Sequence, residues 1–361
     1  MEHPANDPAA VSVHPARLAR AVDVLREGIA GGAMPGATVA AFRRGTLFLH
    51  EAVGTLDGTR PAQTDSLYDL ASITKPMATG ASLLTLVEQG RVVLTSSITD
   101  YLDDRGKHLG RITLRHLLTH TSGLPAWTAC YDVGLGFDAA LTAISRVPVG
   151  VPGTKYEYSC LNFILLQQVV ETISGQSLDN FARENVFAPL GLADTGYKPA
   201  EALRDRIAST VPGEGPDKNT VLTGVVHDGN ARGIGGVSGN AGLFGTVLDV
   251  ARFGEAVRES AGKPLFGRPT LARIAQSQID ATVGAHTLLF FAQGNALCPA
   301  GDLLSPRAVG HSGYTGTFLT LDPAFDLTVA VLTNSVFLTD GKPGWLTVRR
   351  RFLNALASAI G

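Results

Sequence analysis

Ser72 and Lys75 lie three residues apart in the segment LASITKP, a spacing that puts both side chains on one side of a helical turn. A serine hydroxyl becomes a nucleophile when a neighbouring base removes its proton, and a lysine within reach can serve that step. Pro76 favours a helix that begins close to Ser72, where unpaired backbone N–H groups stabilise developing negative charge. The segment predicts a serine nucleophile, and an N-cap serine beside a solvated lysine remains the alternative.

The same spacing recurs at Ser260 and Lys263, so spacing alone does not identify a nucleophile. Ser260 follows the amphipathic segment LDVARFGEAVRE and precedes Gly262, which is typical of the end of a helix. The helix dipole disfavours negative charge at that end. Ser72 is therefore the better candidate.

Two further segments carry groups that a serine nucleophile would need. Tyr158 lies in VPGTKYEYSCLNF, after a Pro-Gly turn and before a predicted helix, and a nearby lysine would favour its phenolate form. In VGHSGYTGTFLTL, Gly313 follows His311 and Ser312, and its missing side chain lets a ligand approach the backbone. A packing tyrosine and an ordinary glycine-rich strand end remain open as alternatives.

The composition limits the class of protein and its partners. The chain has 361 residues, 45% of them hydrophobic, enough for about two domains. Its formal net charge is −2 and it has no run of basic residues, so we expect neither nucleic acid nor a membrane surface as partner. The N-terminal stretch lacks the apolar core of a signal peptide, and the three cysteines form no C-x-x-C pair. Both observations predict a cytoplasmic protein.

Predicted strands lie towards both ends of the chain, with helices between them. GATVAAFRRGTLFLHEAVGT predicts two strands joined at Arg44 and Gly45, and HTLLFFA, GTFLTLD and DLTVAVLTNS predict strands in the C-terminal third. We therefore expect an α/β (α+β) fold in which residues 1–95 and 246–361 form an antiparallel sheet flanked by helices, and residues 96–245 form a helical insert. The stretch GIGGVSGNAGLFGT departs from the dinucleotide-binding fingerprint, and no phosphate-binding loop is recognisable.

Taken in chain order, these segments resemble a known superfamily. Ser72-x-x-Lys75, then Tyr158-Ser159-Cys160, then His311-Ser312-Gly313 are similar to the three motifs of the serine β-lactamases and penicillin-binding proteins, S-x-x-K, Y-x-N or S-x-N, and [KH]-[TS]-G. LRHLLTHTSGLP, PGTKYEYS and GNAGLFGTVLDVARFG resemble stretches of its class C β-lactamase and esterase branch. The resemblance implies the β-lactamase/transpeptidase-like fold, with an active site in the cleft between the sheet domain and the helical domain.

The resemblance also implies roles for individual residues. Ser72 would attack a carbonyl carbon and form an acyl-enzyme, while Lys75 and Tyr158 move its proton. The backbone N–H groups of Ser72 and Tyr314 would form the oxyanion hole, beside Ser312 and Gly313 of the third motif.

Two departures from the motifs affect the expected substrate. The middle motif ends in Cys160 instead of Asn, so Asn162 is a possible substitute, and the segment Ser238–Asn240 matches S-x-N literally. The third motif begins with His311 instead of Lys, and a histidine is mostly uncharged at neutral pH. A fixed cation for a substrate carboxylate is therefore missing.

These features predict a serine hydrolase that forms an acyl-enzyme on small esters or amides, with weak or absent β-lactam hydrolysis and no cofactor or metal. A true β-lactamase or D-alanyl-D-alanine carboxypeptidase, and a non-catalytic binding module that becomes acylated, are the alternatives. His116 and His120 have the spacing of zinc ligands on a helix, but no glutamate follows the first and no third ligand is evident. Core or loop-anchoring roles are the simpler interpretation of this pair.

Overall fold

A computed structural model describes residues 6–102, 109–213, 217–258, 262–338 and 343–361, and Ser260 lies outside these ranges. Its strands are β1 (Gly36–Arg43), β2 (Thr46–Gly54), β3 (Tyr68–Asp69), β4 (Gly196–Tyr197), β5 (Leu243–Gly245), β6 (Phe291–Ala292), β7 (Val309–Ser312), β8 (Phe318–Asp322) and β9 (Leu327–Thr333). One sheet has the order β2-β1-β9-β8-β7-β6, and a small sheet has the order β3-β5-β4. Every pairing between these strands is antiparallel.

Among the described residues, most of the α-helices lie between β2 and β6 along the chain. The α-helices are α1 (Pro15–Ala30), α2 (Ala81–Glu88), α3 (Leu114–Leu118), α4 (Phe137–Ile144), α5 (Cys160–Ser174), α6 (Leu178–Ala182), α7 (Gly229–Gly233), α8 (Val247–Val257), α9 (Arg268–Ala275) and α10 (Pro343–Ser358). Helices α3 to α6 confirm the predicted helical character of the middle of the chain.

The predicted hairpin at the start of the sheet is confirmed. Strands β1 and β2 are joined by Arg44 and Gly45, whose φ angles of 50° and 77° are typical of the tight turns that fit the twist of a hairpin. Strand β1 also pairs with β9, with Ala40 opposite Ala330. The N-terminal and C-terminal parts of the chain therefore share one sheet, as the sequence predicts.

Helices cover both faces of this sheet. Helices α1 and α10 share a core with β1 and β9 on one face, and α8 packs on the other. Helix α8 approaches closely at Gly254, where a Cβ atom would lie 2.7 Å from Thr328 Cγ2 and 2.8 Å from Leu319 Cδ1. The core on the α8 face of the sheet continues into α2 and α5, the helices next to Ser72 and Tyr158.

Two local predictions differ from the structure. The helix after Ser72 is not regular: a 3₁₀ turn (Ala71–Ile73) and a π-helical segment (Lys75–Gly80) precede α2. Such π segments are frequent at functional sites. HTLLFFA forms strand only at Phe291 and Ala292, because the Thr287 hydroxyl accepts hydrogen bonds from the Leu289 and Phe290 N–H groups and turns the chain.

The predicted fold class is confirmed by this architecture. The division into residues 1–95 with 246–361 and a helical insert of 96–245 stays a prediction. Within the described ranges, none of the helices has the length and apolar character needed to cross a membrane.

Candidate active site

The segment that carries Ser72 is held in a strained conformation. Ala71, just before it, has a φ angle of +46°, a left-handed value that residues other than glycine rarely adopt. Its N–H donates to Asp69 Oδ1 at 2.8 Å. A conformation of this kind persists only where surrounding contacts enforce it, and it is frequent at active sites. The turn leaves Ser72 on the wall of a cavity.

Lys75 contacts Ser72 directly. Its Nζ donates to Ser72 Oγ at 2.9 Å and to the Asn240 backbone carbonyl at 3.0 Å, and it lies 3.4 Å from Cys160 Sγ. The side chain is fully buried, which lowers its pKa, but the Cys160 and Tyr158 side chains outweigh burial and raise the pKa to about 12. Lys75 is therefore a cation at neutral pH.

Tyr158 lies beside this cation, just before α5. The Lys75 Nζ is 5.0 Å from the centre of the Tyr158 ring, and the ring packs at 4.5 Å from that of His120. Among the described residues, the Tyr158 hydroxyl has no well-aligned hydrogen-bond partner. Burial raises its pKa, and the opposing effect of Lys75 is smaller. The prediction that Lys75 eases ionisation is correct in sign but does not outweigh burial.

The third motif is fixed to the segment before Ser72. Thr315 Oγ1 donates to the Asp69 carbonyl at 2.8 Å, and Thr317 Oγ1 donates to the Leu70 carbonyl at 3.1 Å. Gly313 fits between these elements only because it lacks a side chain, since a Cβ atom would lie 2.2 Å from Thr317 Oγ1 and 2.5 Å from the Leu70 carbonyl oxygen. These contacts hold the end of β7 next to Ser72.

His311 is buried behind the cavity and does not line it. Its ring stacks on Phe291 at 4.5 Å, and its Nδ1 is 3.0 Å from the Ser312 carbonyl, to which it donates in the matching tautomer. Burial, with the nearby charge of Lys75, holds the pKa of His311 well below its usual value. His311 is therefore uncharged at neutral pH, as the sequence predicts.

Cys160, Asn162 and Asn240 are the candidates for the role of the Asn that usually ends the middle motif, and they lie in different places. Cys160 lines the cavity. Asn162 is fully buried and faces away from it: its Oδ1 accepts from Ser122 at 2.7 Å, and its Nδ2 lies 3.2 Å from His120 Nδ1. Asn240 is also buried, with its Oδ1 bound to Ser238 at 2.7 Å, and reaches Lys75 through its backbone carbonyl. Asn162 is therefore poorly placed for substrate.

The cavity next to Ser72 has a volume of about 350 Å³. Its wall contains most of the predicted site: Ser72, Tyr158, Cys160, Ser312, Gly313 and Tyr314. The wall also contains residues to which the sequence analysis assigned no role: Trp127, Tyr131, His227, Asp228 and Leu297. No lysine or arginine is among the described residues of this wall.

Asp69 is a site residue that the sequence analysis missed. It is buried, and its two oxygens accept from the Ala71 N–H at 2.8 Å and the His227 N–H at 2.6 Å. It thereby joins the strained turn before Ser72 to the loop that carries His227 and Asp228 of the cavity wall. Its position three residues before Ser72 was visible in the sequence, but its partner at residue 227 was not.

The pair His116 and His120 makes structural hydrogen bonds. His116 Nδ1 accepts from the Thr113 N–H at 3.2 Å and caps α3, and His120 Nδ1 accepts from the Ser159 N–H at 3.0 Å. Across the ranges that the structure describes, no group of three or more His, Cys, Asp or Glu residues is arranged to hold a metal ion. His116 therefore holds the start of α3, and His120 holds the segment that carries Tyr158.

Comparison with known proteins identifies the family. A family model described as Beta-lactamase matches residues 21–351. The chain belongs to the beta-lactamase family. This beta-lactamase family member is 34% identical over 308 residues to a protein of Escherichia coli (strain K12) named "Putative D-alanyl-D-alanine carboxypeptidase", with 76% of this chain and 70% of that protein covered.

Solved structures share the fold of this beta-lactamase family member at low identity. EstCE1, a hydrolase with promiscuous acyltransferase activity, has a TM-score of 0.78 at 20% identity, covering 94% of this chain and 99% of its own. A class C beta lactamase from Rhodobacter sphaeroides has a TM-score of 0.71 at 19% identity, covering 94% and 98%. The predicted superfamily and the serine hydrolase class are confirmed, and the roles of individual residues stay predictions.

Cys160 gives a direct test of the cavity wall. Treatment of the native protein with N-ethylmaleimide is expected to label Cys160, and prior acylation of Ser72 is expected to block labelling, because both side chains line one cavity. Cys130 and Cys298 are the internal controls, since burial raises the pKa of each thiol to about 12. Mass spectrometry of the labelled peptides reads the result, and a Cys160 that reacts only after unfolding would contradict this placement.

Asp69 is expected to give activity an acid limb near pH 6. Burial raises the pKa of Asp69 to about 6, and protonation takes away an acceptor from the Ala71 or His227 N–H. For wild type, we expect kcat/KM on a neutral ester to rise as the pH passes about 6. In Asp69→Asn this limb should be absent and kcat/KM at neutral pH lower by about tenfold or more, because the amide nitrogen accepts no hydrogen bond.

The free energy of unfolding should change with pH in the direction opposite to kcat/KM. Because the folded pKa of Asp69 lies above the unfolded value, the protonated form favours folding, and this contribution is lost as the pH rises through about 6. Asp23→Asn, at an exposed position of α1, is the matched control. An unchanged pH profile in Asp69→Asn would assign the limb to another group.

Proposed function

We propose that this protein hydrolyses small uncharged carboxylic esters, and more slowly amides, through an acyl-enzyme on Ser72, with weak or absent turnover of β-lactams. The observation that carries the proposal is the cavity beside Ser72. Its described wall has no cationic side chain, and the position where the motif usually has lysine holds the buried, uncharged His311. Penicillins, cephalosporins and peptides ending in D-alanine carry a carboxylate that would enter this cavity without a partner.

The arrangement of Ser72, Lys75 and Tyr158 suits acyl transfer. Ser72 Oγ attacks the carbonyl carbon, the carbonyl oxygen becomes an oxyanion, and the Ser72 proton passes to the phenolate form of Tyr158. The Lys75 cation, at 2.9 Å from Ser72 and 5.0 Å from the Tyr158 ring, stabilises that phenolate. Tyr158 then gives the proton to the departing alkoxide. In deacylation, water attacks the acyl carbonyl carbon and gives its proton to the Tyr158 phenolate. The bond to Ser72 Oγ then breaks, Ser72 takes that proton from Tyr158, and the acid is released.

The oxyanion requires hydrogen-bond donors on the same cavity wall. Ser72 and Tyr314 both line it, and the contacts of Thr315 and Thr317 with the segment before Ser72 hold the two backbones together. Donors fixed in place before the reaction contribute about 3–4 kcal/mol each to stabilising such a transition state. We assign this role to the backbone N–H groups of Ser72 and Tyr314.

A D-alanyl-D-alanine carboxypeptidase is the second candidate, because the Escherichia coli relative carries that name. The test is a comparison of kcat/KM for p-nitrophenyl butyrate, nitrocefin and diacetyl-L-lysyl-D-alanyl-D-alanine under the same conditions. We expect the ester to be hydrolysed by far the fastest. Faster release of D-alanine from the peptide would replace our proposal with the second candidate, and faster opening of nitrocefin would assign a β-lactamase.

Steady-state turnover separates a hydrolase from an acylatable binding module. A hydrolase continues to release p-nitrophenol after the first equivalent, whereas a binding module stops after the burst. Intact-protein mass spectrometry during the reaction detects the acyl-enzyme in both cases. A burst without further turnover would overturn the proposed hydrolase.

A further inference from the structure

The wall of the cavity next to Ser72 combines one carboxylate with aromatic rings. Asp228 lies on this wall with Trp127, Tyr131 and Tyr314. The Trp127 and Tyr131 rings meet edge to face with centres 6.1 Å apart, and Trp127 and Tyr314 keep 39% and 59% of their surface exposed. Exposed rings beside an acid form a surface on which a cation is attracted by both the charge and the ring faces.

The charge of Asp228 acts on the catalytic groups. One of its oxygens accepts from the Ala231 N–H at 2.8 Å and caps α7, and within the described residues its carboxylate forms no ion pair. It contributes to raising the pKa of both Lys75 and Asp69. Asp228 also lines the same cavity as Ser72, so its negative charge acts on a substrate bound there.

The nearby cation Arg232 does not line this cavity. Its Nε is 2.7 Å from Asp217 Oδ2, and its guanidinium donates to the Val226 and His227 carbonyls. Arg232 belongs to the wall of a different cavity. Lys75 is buried behind Ser72 and donates to Ser72 and Asn240.

We propose that the preferred substrate is an ester whose acyl chain carries an ammonium group, held between Asp228 and the rings of Trp127 and Tyr131. This inference rests on the proposed ester hydrolysis and names the charge of its substrate. The ammonium group is placed on the acyl chain, and not on the leaving alcohol, because the acyl chain stays bound to Ser72 through both acylation and deacylation. A carboxylate on the same chain is repelled by Asp228.

Three p-nitrophenyl esters of matched shape test the inference: those of 4-(trimethylammonio)butanoic acid, of 5,5-dimethylhexanoic acid and of glutaric acid. The first two end in groups of the same size and differ in charge, and the third ends in a carboxylate. We expect kcat/KM to fall by about tenfold from the cationic to the neutral ester, and further to the anionic ester. The preference for the cationic ester should weaken as salt is added.

Asp228→Asn removes the charge and keeps the helix cap, because asparagine caps helices as well as aspartate does. In this variant the ratio of kcat/KM between cationic and neutral esters should fall to about one, and the ratio cancels any effect of the lost charge on the groups that both esters share. Asp132→Asn, at an exposed position outside the cavity wall, should leave the ratio unchanged. Equal kcat/KM for the two esters in wild type, or an unchanged ratio in Asp228→Asn, would overturn the inference. If wild type did not hydrolyse the neutral ester at all, the proposed function itself would be overturned.

Discussion

Ser72→Ala is expected to abolish covalent labelling by a fluorophosphonate and to lower kcat for ester hydrolysis by about 10⁶, because no other group can then form the acyl-enzyme. The hydroxyl is the only part of the side chain that is lost, and it accepts a single hydrogen bond from Lys75 at 2.9 Å. The fold should therefore be retained, which a thermal unfolding curve can check. Peptide mapping of the adduct in wild type identifies the labelled serine.

Ser260→Ala is the matched control, because Ser260 and Lys263 repeat the same spacing in the sequence. This variant should label and turn over like wild type. An adduct on Ser260, or full labelling of Ser72→Ala, would show that another serine is the nucleophile and would remove the basis of the proposed mechanism.

Lys75→Ala and Tyr158→Phe are each expected to lower kcat/KM by about 10²–10⁴, the usual contribution of a positioned acid or base. The pH profiles of the two variants should distinguish the role of Tyr158 from that of Lys75. Burial raises the pKa of Tyr158, so the phenolate becomes more abundant only towards alkaline pH, and wild-type kcat/KM should rise in that direction. Tyr158→Phe should lose this rise.

The segment Ser238–Asn240 supplies the decisive comparison for this assignment. Ser238 is buried and hydrogen-bonded to Asn240, and it does not line the cavity. Ser238→Ala should therefore affect activity much less than Tyr158→Phe. If Ser238→Ala were inactive while Tyr158→Phe remained close to wild type, the literal S-x-N segment would hold the catalytic group.

The parts of the site that the sequence predicted depend on short spacings. Ser72 and Lys75 are one helical turn apart, so their contact follows from local geometry even though the helix is irregular. Tyr158 and Gly313 were recognisable because their types and order resemble family motifs. The strands β1, β2, β8 and β9 were predicted from alternation and turn residues, which are also local signals.

The parts that the sequence did not predict depend on distant residues. Asp69 binds the His227 N–H, and Asp228 lines the same cavity as Ser72 only because the loop before α7 returns to it. Asn162 was a reasonable candidate two positions after Cys160, but one helical step turns its amide towards Ser122 and His120. No periodicity in a single sequence reports such contacts.

The hydrogen bonds from Thr315 and Thr317 have a consequence for how the site responds to motion. They attach the backbone before Ser72 to the turn between β7 and β8 of the large sheet, whereas Tyr158 and Asn240 reach Lys75 from loops next to α5 and β5. A fluctuation that shifts these loops would separate Tyr158 from Ser72 while the Ser72 and Tyr314 backbones stay together. We therefore expect motion of these loops to affect the proposed proton transfer through Tyr158 more than the proposed oxyanion hole.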